Sequence, residues 1–242
     1  MLKRTFQVDA NLHPRIVSGP GAADFSGRRA MPDRGPDAMQ VAAIIHSVDD
    51  SSNAPFAEPL GTVFLDRDGV INEKMPEGQY VRSSAEFHLL PGVPQAIARL
   101  NRAGLRVIVI SNQRGVALGL YTAADVDAIH ARFQAMLAAQ GARVDAFYFC
   151  PHDKAQCNCR KPLPGLFEQA QADFPQIAAA SSVMVGDSHS DIEFGRRLGM
   201  RTIFIEVHPD RQRPGAEKAR ASANQSAASL QEAVDALLRG RA

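Results

Sequence analysis

The sequence predicts an α/β fold in which a parallel β-sheet is flanked by helices, and two observations carry that expectation. From Gly61 onward, short β-branched or apolar runs alternate with segments of helical period, which is the βαβ pattern of a parallel sheet. Polar clusters then follow directly on the apolar runs, and in an open parallel sheet such positions meet in one crevice at the carboxyl ends of the strands.

Strands are expected at 62–65, 106–110, 144–149, 182–185 and 202–205. Val93, Ile97 and Leu100 form a helical stripe that Gly104 ends. Val126, Ile129, Phe133 and Leu137 form a second, which starts after the N-cap candidate Thr122 and stops at Gly141. Further helices are expected at about 165–174 and 190–198. A last one runs through Leu230, Val234 and Leu237, opened by Ser229 and Glu232 in capping-box spacing. Residues 1–59 differ: Gly, Pro, Asp and Arg recur and little is apolar, so they are expected to be a disordered extension preceding one folded domain over 60–242. A misassigned translation start would give the same composition.

The 242 residues are 45% hydrophobic, 22% charged and 6% aromatic, which excludes fibrous and wholly disordered classes. Lys plus Arg number 27 against 26 Asp plus Glu, so no global basic field exists to hold nucleic acid, and no nucleic-acid partner is expected. No apolar run approaches the roughly 20 residues of a bilayer span, and no apolar core follows Lys3 and Arg4 as in a secretory leader. A cytoplasmic protein without a membrane partner is expected, as a monomer or weak homo-oligomer.

Four clusters carry the chemistry. The first is Asp66-Arg67-Asp68-Gly69, where two carboxylates leave a strand and Gly69 permits the turn that brings them to one site. With a bound cation, one carboxylate can attack phosphorus while the other handles the leaving-group proton; alone, the motif could be a solvated turn. Ser111-Asn112-Gln113 offers a hydroxyl and backbone N–H groups to phosphate oxygens, although such a pair is more often a plain turn. Arg160-Lys161 supplies two cations, and the bland reading is a solvated loop. In the fourth, Gly186-Asp187-Ser188-His189-Ser190-Asp191, Asp187 can complete an oxygen shell for Mg²⁺. His189 reads as a surface residue.

All three cysteines lie within ten residues: Cys150-Pro151-His152, then Cys157-Asn158-Cys159. That is not the distribution of a disulfide framework. Three thiolates and an imidazole form a closed tetrahedral Zn²⁺ set, structural rather than catalytic, joined directly to Arg160 and Lys161.

In this order, each on a strand end, the four clusters resemble the haloacid dehalogenase superfamily of phosphohydrolases over about 61–207. The resemblance implies a three-layer Rossmann-like sheet, with Asp66 as nucleophile and Asp68 as general acid and then base. It also implies phosphoryl binding by Ser111 and Lys161, and Mg²⁺ held by Asp66, the Asp68 carbonyl and Asp187. Asp191 would support that shell or interact with the helix dipole. A flap, one helix and one strand fill the interval from Asp66 to Ser111; a helix, a strand and the cysteine loop fill that from Ser111 to Lys161. Neither leaves room for a cap domain, so the type is capless with a zinc-binding loop.

Within the superfamily the zinc loop resembles those of heptose bisphosphate phosphatases and histidinol-phosphate phosphatases. The segment Asn112-Gln113-Arg114-Gly115-Val116-Ala117-Leu118-Gly119 is nearer the heptose pattern N-Q-S-G-x-A-R-G, as is Tyr80-Val81 in the flap. Arg114 stands where that pattern has Ser, Leu118 where it has Arg, and the loop is shorter than in the long-loop heptose enzymes. The expected activity is a Mg²⁺-dependent, Zn²⁺-containing phosphomonoesterase acting on a small phosphorylated sugar, most simply the 7-phosphate of a heptose bisphosphate, with Asn112, Gln113, Arg114 and Arg160 contacting substrate. Histidinol phosphate is the rival substrate. A non-catalytic phospho-ligand-binding protein is the rival of another class, and the presence of both Asp66 and Asp68 argues against it.

Overall fold

The computed structural model describes residues 59–239; the predicted N-terminal extension, through residue 58, lies outside the described residues. Among the described residues six strands form one parallel sheet: β1 (Thr62–Leu65), β2 (Arg106–Asn112), β3 (Ala146–Cys150), β4 (Ser182–Gly186), β5 (Arg201–Ile205) and β6 (Gln225–Ala227), in the order β3-β2-β1-β4-β5-β6. The helices are α1 (Val93–Arg102), α2 (Ala123–Ala138), α3 (Gly165–Asp173), α4 (His189–Leu198), α5 (Ala216–Ser222) and α6 (Leu230–Arg239).

Strand residues alternate between two cores, so β1, β2 and β4 at the centre of the sheet are buried on both faces, whereas the edge strands β3 and β6 are only partly buried. Val63, Leu65, Val107, Val109, Val183 and Val185 pack with Ile97 and Leu100 of α1, Ile129 and Phe133 of α2, and Val234 of α6. On the opposite face Phe64, Ile108, Ile110 and Met184 meet Leu166 and Phe167 of α3 and Phe194 of α4. Each fully buried Leu, Ile, Val or Phe contributes about 1.5–3 kcal/mol, so these two layers hold the sheet beneath its functional edge.

The strand order reverses at β1, since β2 and β3 lie on one side and β4 to β6 on the other. A crevice therefore opens between the carboxyl ends of β1 and β4. Leu65 is in register with Val109 of β2 and Val185 of β4, so Asp66, Ser111 and Asp187 lie within one residue of the same level at this end of the sheet. Between β1 and α1 a flap folds on itself through Glu73 N to His88 O (2.9 Å) and Leu90 N to Ile71 O (2.9 Å). No inserted cap domain occurs among the described residues, as the spacing predicts, and no helix there is long and apolar enough to cross a membrane.

Several ends differ from expectation for local reasons. β2 runs on to Asn112 because Cys150 continues the pairing. β3 starts at Ala146 rather than 144, since the backbone of Val144 is bonded to the Gln134 side chain instead of a strand. α4 starts at His189 because Ser188 and Asp191 form a capping box. At α6, Ser229 accepts from Glu232 N as expected, but the Glu232 carboxylate takes the N–H of Ala228. The expected cap of α2 is complete, with Thr122 and Asp125 bonded reciprocally. β6 and α5 were not predicted.

Candidate active site

Asp66 begins where β1 ends: its N–H is bonded to Val185 O, and its side chain turns into the crevice with 9% of its surface exposed. Lys161 Nζ lies 2.7 Å from Asp66 Oδ1 and 2.6 Å from Asp191 Oδ1, and donates to the Ile110 carbonyl at 2.8 Å. Its backbone is clamped by Asn112, whose amide accepts from Lys161 N (3.0 Å) and donates to Lys161 O (3.1 Å). Thus Asn112, at the end of β2, fixes the loop that delivers the lysine. Burial opposes the Lys161 charge, but Asp191 and Asp66 outweigh it and raise its pKa above the ordinary value. Burial pushes Asp66 up to about 6, reinforced by Asp191 and opposed by Lys161.

Asp68 faces a different set of partners. The buried Arg67 guanidinium reaches both its carboxylate oxygens through Nη2 (3.0 and 2.9 Å), while Asn72 donates to Oδ1 (2.9 Å) and Gln113 to Oδ2 (3.0 Å). Burial alone would raise its pKa, yet Arg67 and these amide donors hold it below the usual carboxylate range. Gln113 also donates to Ser111 Oγ (3.1 Å), and its own oxygen accepts from Tyr121 Oη (2.8 Å). Tyr121 therefore orients the amide that bridges Asp68 and Ser111. A Cβ on Gly115 would meet its ring at 2.1 Å, which accounts for glycine there.

Asp187 follows β4 and is 1% exposed. Lys74, from the flap, sits 2.5 Å from its Oδ2, whereas Oδ1 is buried with no hydrogen-bond partner. Burial pushes Asp187 up to about 7, against the pull of Lys74 and with Asp66 and Asp191 adding to the rise. Asp66, Asp187 and Asp191 each offer a carboxylate oxygen, all within 4.8 Å of one another. Three clustered buried carboxylates, two of them raised and one with an orphaned oxygen, suit a hard divalent cation bound through oxygen, as Mg²⁺ is. The Asp68 side chain lies outside this cluster.

Gly69 lets the chain pass: its φ is +101°, and a Cβ there would fall 2.1 Å from Asp187 Oδ2. Gly69→Ala is expected to destabilise the fold by about 2–3 kcal/mol in denaturant titration, combining left-handed backbone strain with a clash. Gly141→Ala, with φ +66° and nothing near its Cβ position, should cost about 1 kcal/mol. Equal losses for the two would show that Asp187 does not crowd the Gly69 turn.

A cavity of about 540 Å³ opens above these groups, lined among others by Asp66, Asp68, Lys74, Gln113, Lys161, Asp187 and His189. Ser111 is buried beside it. Arg114, Lys154 and Arg160 line the cavity as well, and Arg114 Nε is bonded to Asp153 Oδ1 (2.5 Å). The replacement of Ser by Arg at 114 thus ties the segment after β2 to the cysteine loop. His189 is half-buried in the cavity wall rather than on the open surface, because α4 begins there.

In the cysteine loop Cys150 Sγ lies 3.5 Å from Cys157 Sγ and 3.8 Å from His152 Nδ1, and Cys159 Sγ lies 3.3 Å from both Cys157 Sγ and His152 Nδ1. A tetrahedron with metal bonds of about 2.0–2.3 Å has edges of roughly 3.3–3.8 Å, so the four donors already approximate a zinc shell. Hydrogen bonding by Cys159 draws the Cys150 thiol down to about 5, while the same contact and burial push Cys159 up. Sulfurs this close cannot all be thiolates without a cation between them, and the donor set fits Zn²⁺. The loop's end is packed against α3: Gly165 N bonds Asn158 O, and a Cβ on Gly165 would lie 2.8 Å from Cys159 Cα.

The crevice therefore brings together Asp66, Asp68, Asn112, Gln113, Arg114, Arg160, Lys161 and Asp187, with Ser111 beneath and the four sulfur and nitrogen donors in a separate cluster. The sequence reading missed Lys74 and Tyr121 and gave no role to Arg67. Arg67 was visible inside the aspartate motif, but nothing local marks Lys74 or Tyr121, which arrive through the flap and the turn before α2.

A family model described as HAD-hydrolase-like matches residues 158–233. The chain is 42% identical over 137 residues to a D-glycero-alpha-D-manno-heptose-1,7-bisphosphate 7-phosphatase of Mycobacterium tuberculosis, covering 56% of this chain and 72% of the relative. It is 39% identical over 146 residues to a D-glycero-beta-D-manno-heptose-1,7-bisphosphate 7-phosphatase of Pseudomonas putida, covering 60% and 82%. Among solved structures, D,D-heptose 1,7-bisphosphate phosphatase from B. bronchiseptica, complexed with magnesium and phosphate, superimposes with a TM-score of 0.65 at 32% identity, over 74% of this chain and 99% of that one.

Proposed function

Because the chain belongs to the haloacid dehalogenase family of phosphatases and is a phosphoric monoester hydrolase, we propose that it removes the 7-phosphate of D-glycero-D-manno-heptose 1,7-bisphosphate through an aspartyl-phosphate, with Mg²⁺ as cofactor. The observation that carries this reading is the meeting of Asp66, Lys161 and Asp187 at the point where the strand order reverses.

Lys161 orients the Asp66 carboxylate, and a carboxylate oxygen attacks phosphorus while the bond to the sugar oxygen breaks. The leaving oxygen takes a proton from Asp68. In the second half Asp68 takes a proton from water, the water oxygen joins phosphorus, and the bond to Asp66 breaks to release phosphate. The proton then on Asp68 is the one the next leaving group receives. Arg67, Asn72 and Gln113, which favour the ionised form of Asp68, assist the half in which it acts as base. Ser111 binds a phosphoryl oxygen beside Gln113, and Arg114 and Arg160 suit a second anionic group at the mouth. Asp66, the Asp68 carbonyl and Asp187 would hold Mg²⁺, which would neutralise phosphoryl charge there. Cys150, His152, Cys157 and Cys159 would hold Zn²⁺, which would fix the loop ending at Arg160.

Substrate choice is tested by phosphate release from the α and β heptose bisphosphates, histidinol phosphate and a 3′-phosphorylated oligonucleotide. A heptose bisphosphate is expected to give a kcat/KM at least about tenfold above the others, a difference of about 1.4 kcal/mol in transition-state binding. Preference for histidinol phosphate would overturn the substrate reading and leave the phosphatase standing.

A further inference from the structure

The two ammonium groups of the site differ in the donors they have engaged. Lys161 has three N–H bonds and three acceptors already in place: Asp66, Asp191 and the Ile110 carbonyl. It orients the nucleophile. Lys74 lines the same cavity and has one acceptor, Asp187, so two of its N–H bonds remain. It is as buried as Asp66, each at 9% exposure. The flap is held at this point from across the crevice, where Arg211 bonds the Lys74 carbonyl and Arg213 the Met75 carbonyl at 3.2 Å. The lysine is thereby kept inside the site.

We propose that Lys74 is an exchangeable counter-ion. It neutralises Asp187 in the metal-free protein, then releases that carboxylate to the divalent cation and binds the phosphoryl oxygens instead. The proposal rests on the metal-dependent reading above. It explains why Asp187 pairs with a flap residue while Asp66 and Asp191 share the fixed Lys161, and why one oxygen of Asp187 is left without a partner. It also predicts opposite effects of one substitution on two ligands, which a purely structural lysine would not give.

The test is calorimetric titration of the full chain with Mg²⁺ alone, and then with inorganic phosphate at saturating Mg²⁺. Lys74→Met is expected to bind Mg²⁺ about tenfold more tightly, because its competitor is gone, and phosphate about tenfold more weakly, the scale of one charge-assisted hydrogen bond. Lys74→Arg should bring phosphate binding back to within about threefold of wild type. If Lys74→Met folds only with Mg²⁺, its phosphate affinity at saturating Mg²⁺ decides, and an affinity within about threefold of wild type overturns the exchange. Mg²⁺ affinity that is unchanged or weaker in a folded Lys74→Met, or unchanged phosphate affinity, also overturns it. Wild-type protein that binds no Mg²⁺ overturns the metal reading itself, so the two failures are distinct.

Discussion

Asp66→Asn is expected to lower kcat by about 10³-fold or more with Mg²⁺ and substrate saturating, while thermal unfolding stays within a few degrees of wild type. An amide oxygen does not form the acyl phosphate, and nothing else in the crevice is both at the end of β1 and aligned by Lys161. The fold should tolerate the change, because Lys161 keeps Asp191 and the Ile110 carbonyl, and a carboxylate that burial already penalises is replaced by a neutral group of the same shape. Residual turnover within tenfold of wild type would remove Asp66 from the nucleophile's place.

Cys157→Ser or Cys159→Ser is expected to lower the bound zinc from about one per chain to a trace and to raise KM about tenfold, with a smaller fall in kcat. The asymmetry comes from how the loop is held. Lys161 is clamped by Asn112 independently of the sulfur cluster, so the orientation of Asp66 survives. Arg160 precedes that clamp, and Asp153, which holds Arg114, lies inside the loop. Losing the metal therefore loosens the cavity mouth before the reacting end. The sheet should stay folded, since Cys150 and Cys159 are two members of a larger core with Phe64, Leu166 and Phe167. Variants that lose zinc and keep wild-type KM would separate the loop from substrate binding. Fully active wild-type protein without zinc would refute the structural role.

Five of the six strands were legible because each is an apolar run, buried on both faces at β1, β2 and β4, and the runs at β1 and β4 end in aspartates whose position follows from the topology. β6 was not legible. It is three residues, Gln225-Ser226-Ala227, recruited to the edge by Asn224, whose side chain accepts from both the N–H and the hydroxyl of Thr202. α5 is seven residues rich in alanine, with Ala216 and Ala219 buried, too short for a period to show. In the site, residues adjacent to strand ends could be read one by one. Lys74 and Tyr121 could not, since each is brought in by a loop path with no periodicity, and the pairing of Arg67 with Asp68 depends on a side-chain direction that the tetrapeptide does not specify.

In the proposed reaction Asp66 carries the phosphoryl group between two half-reactions. The most direct measurement is acid quenching of the protein during turnover of its sugar phosphate, followed by peptide mass spectrometry, in wild type and in Asp68→Asn. The expected result is one added phosphoryl group on the peptide containing Asp66, absent in Asp66→Asn and accumulating in Asp68→Asn, where the base that activates water is lost. Product formation with no phosphorylated peptide in wild type or Asp68→Asn, or a phosphoryl group on a residue other than Asp66, would contradict it.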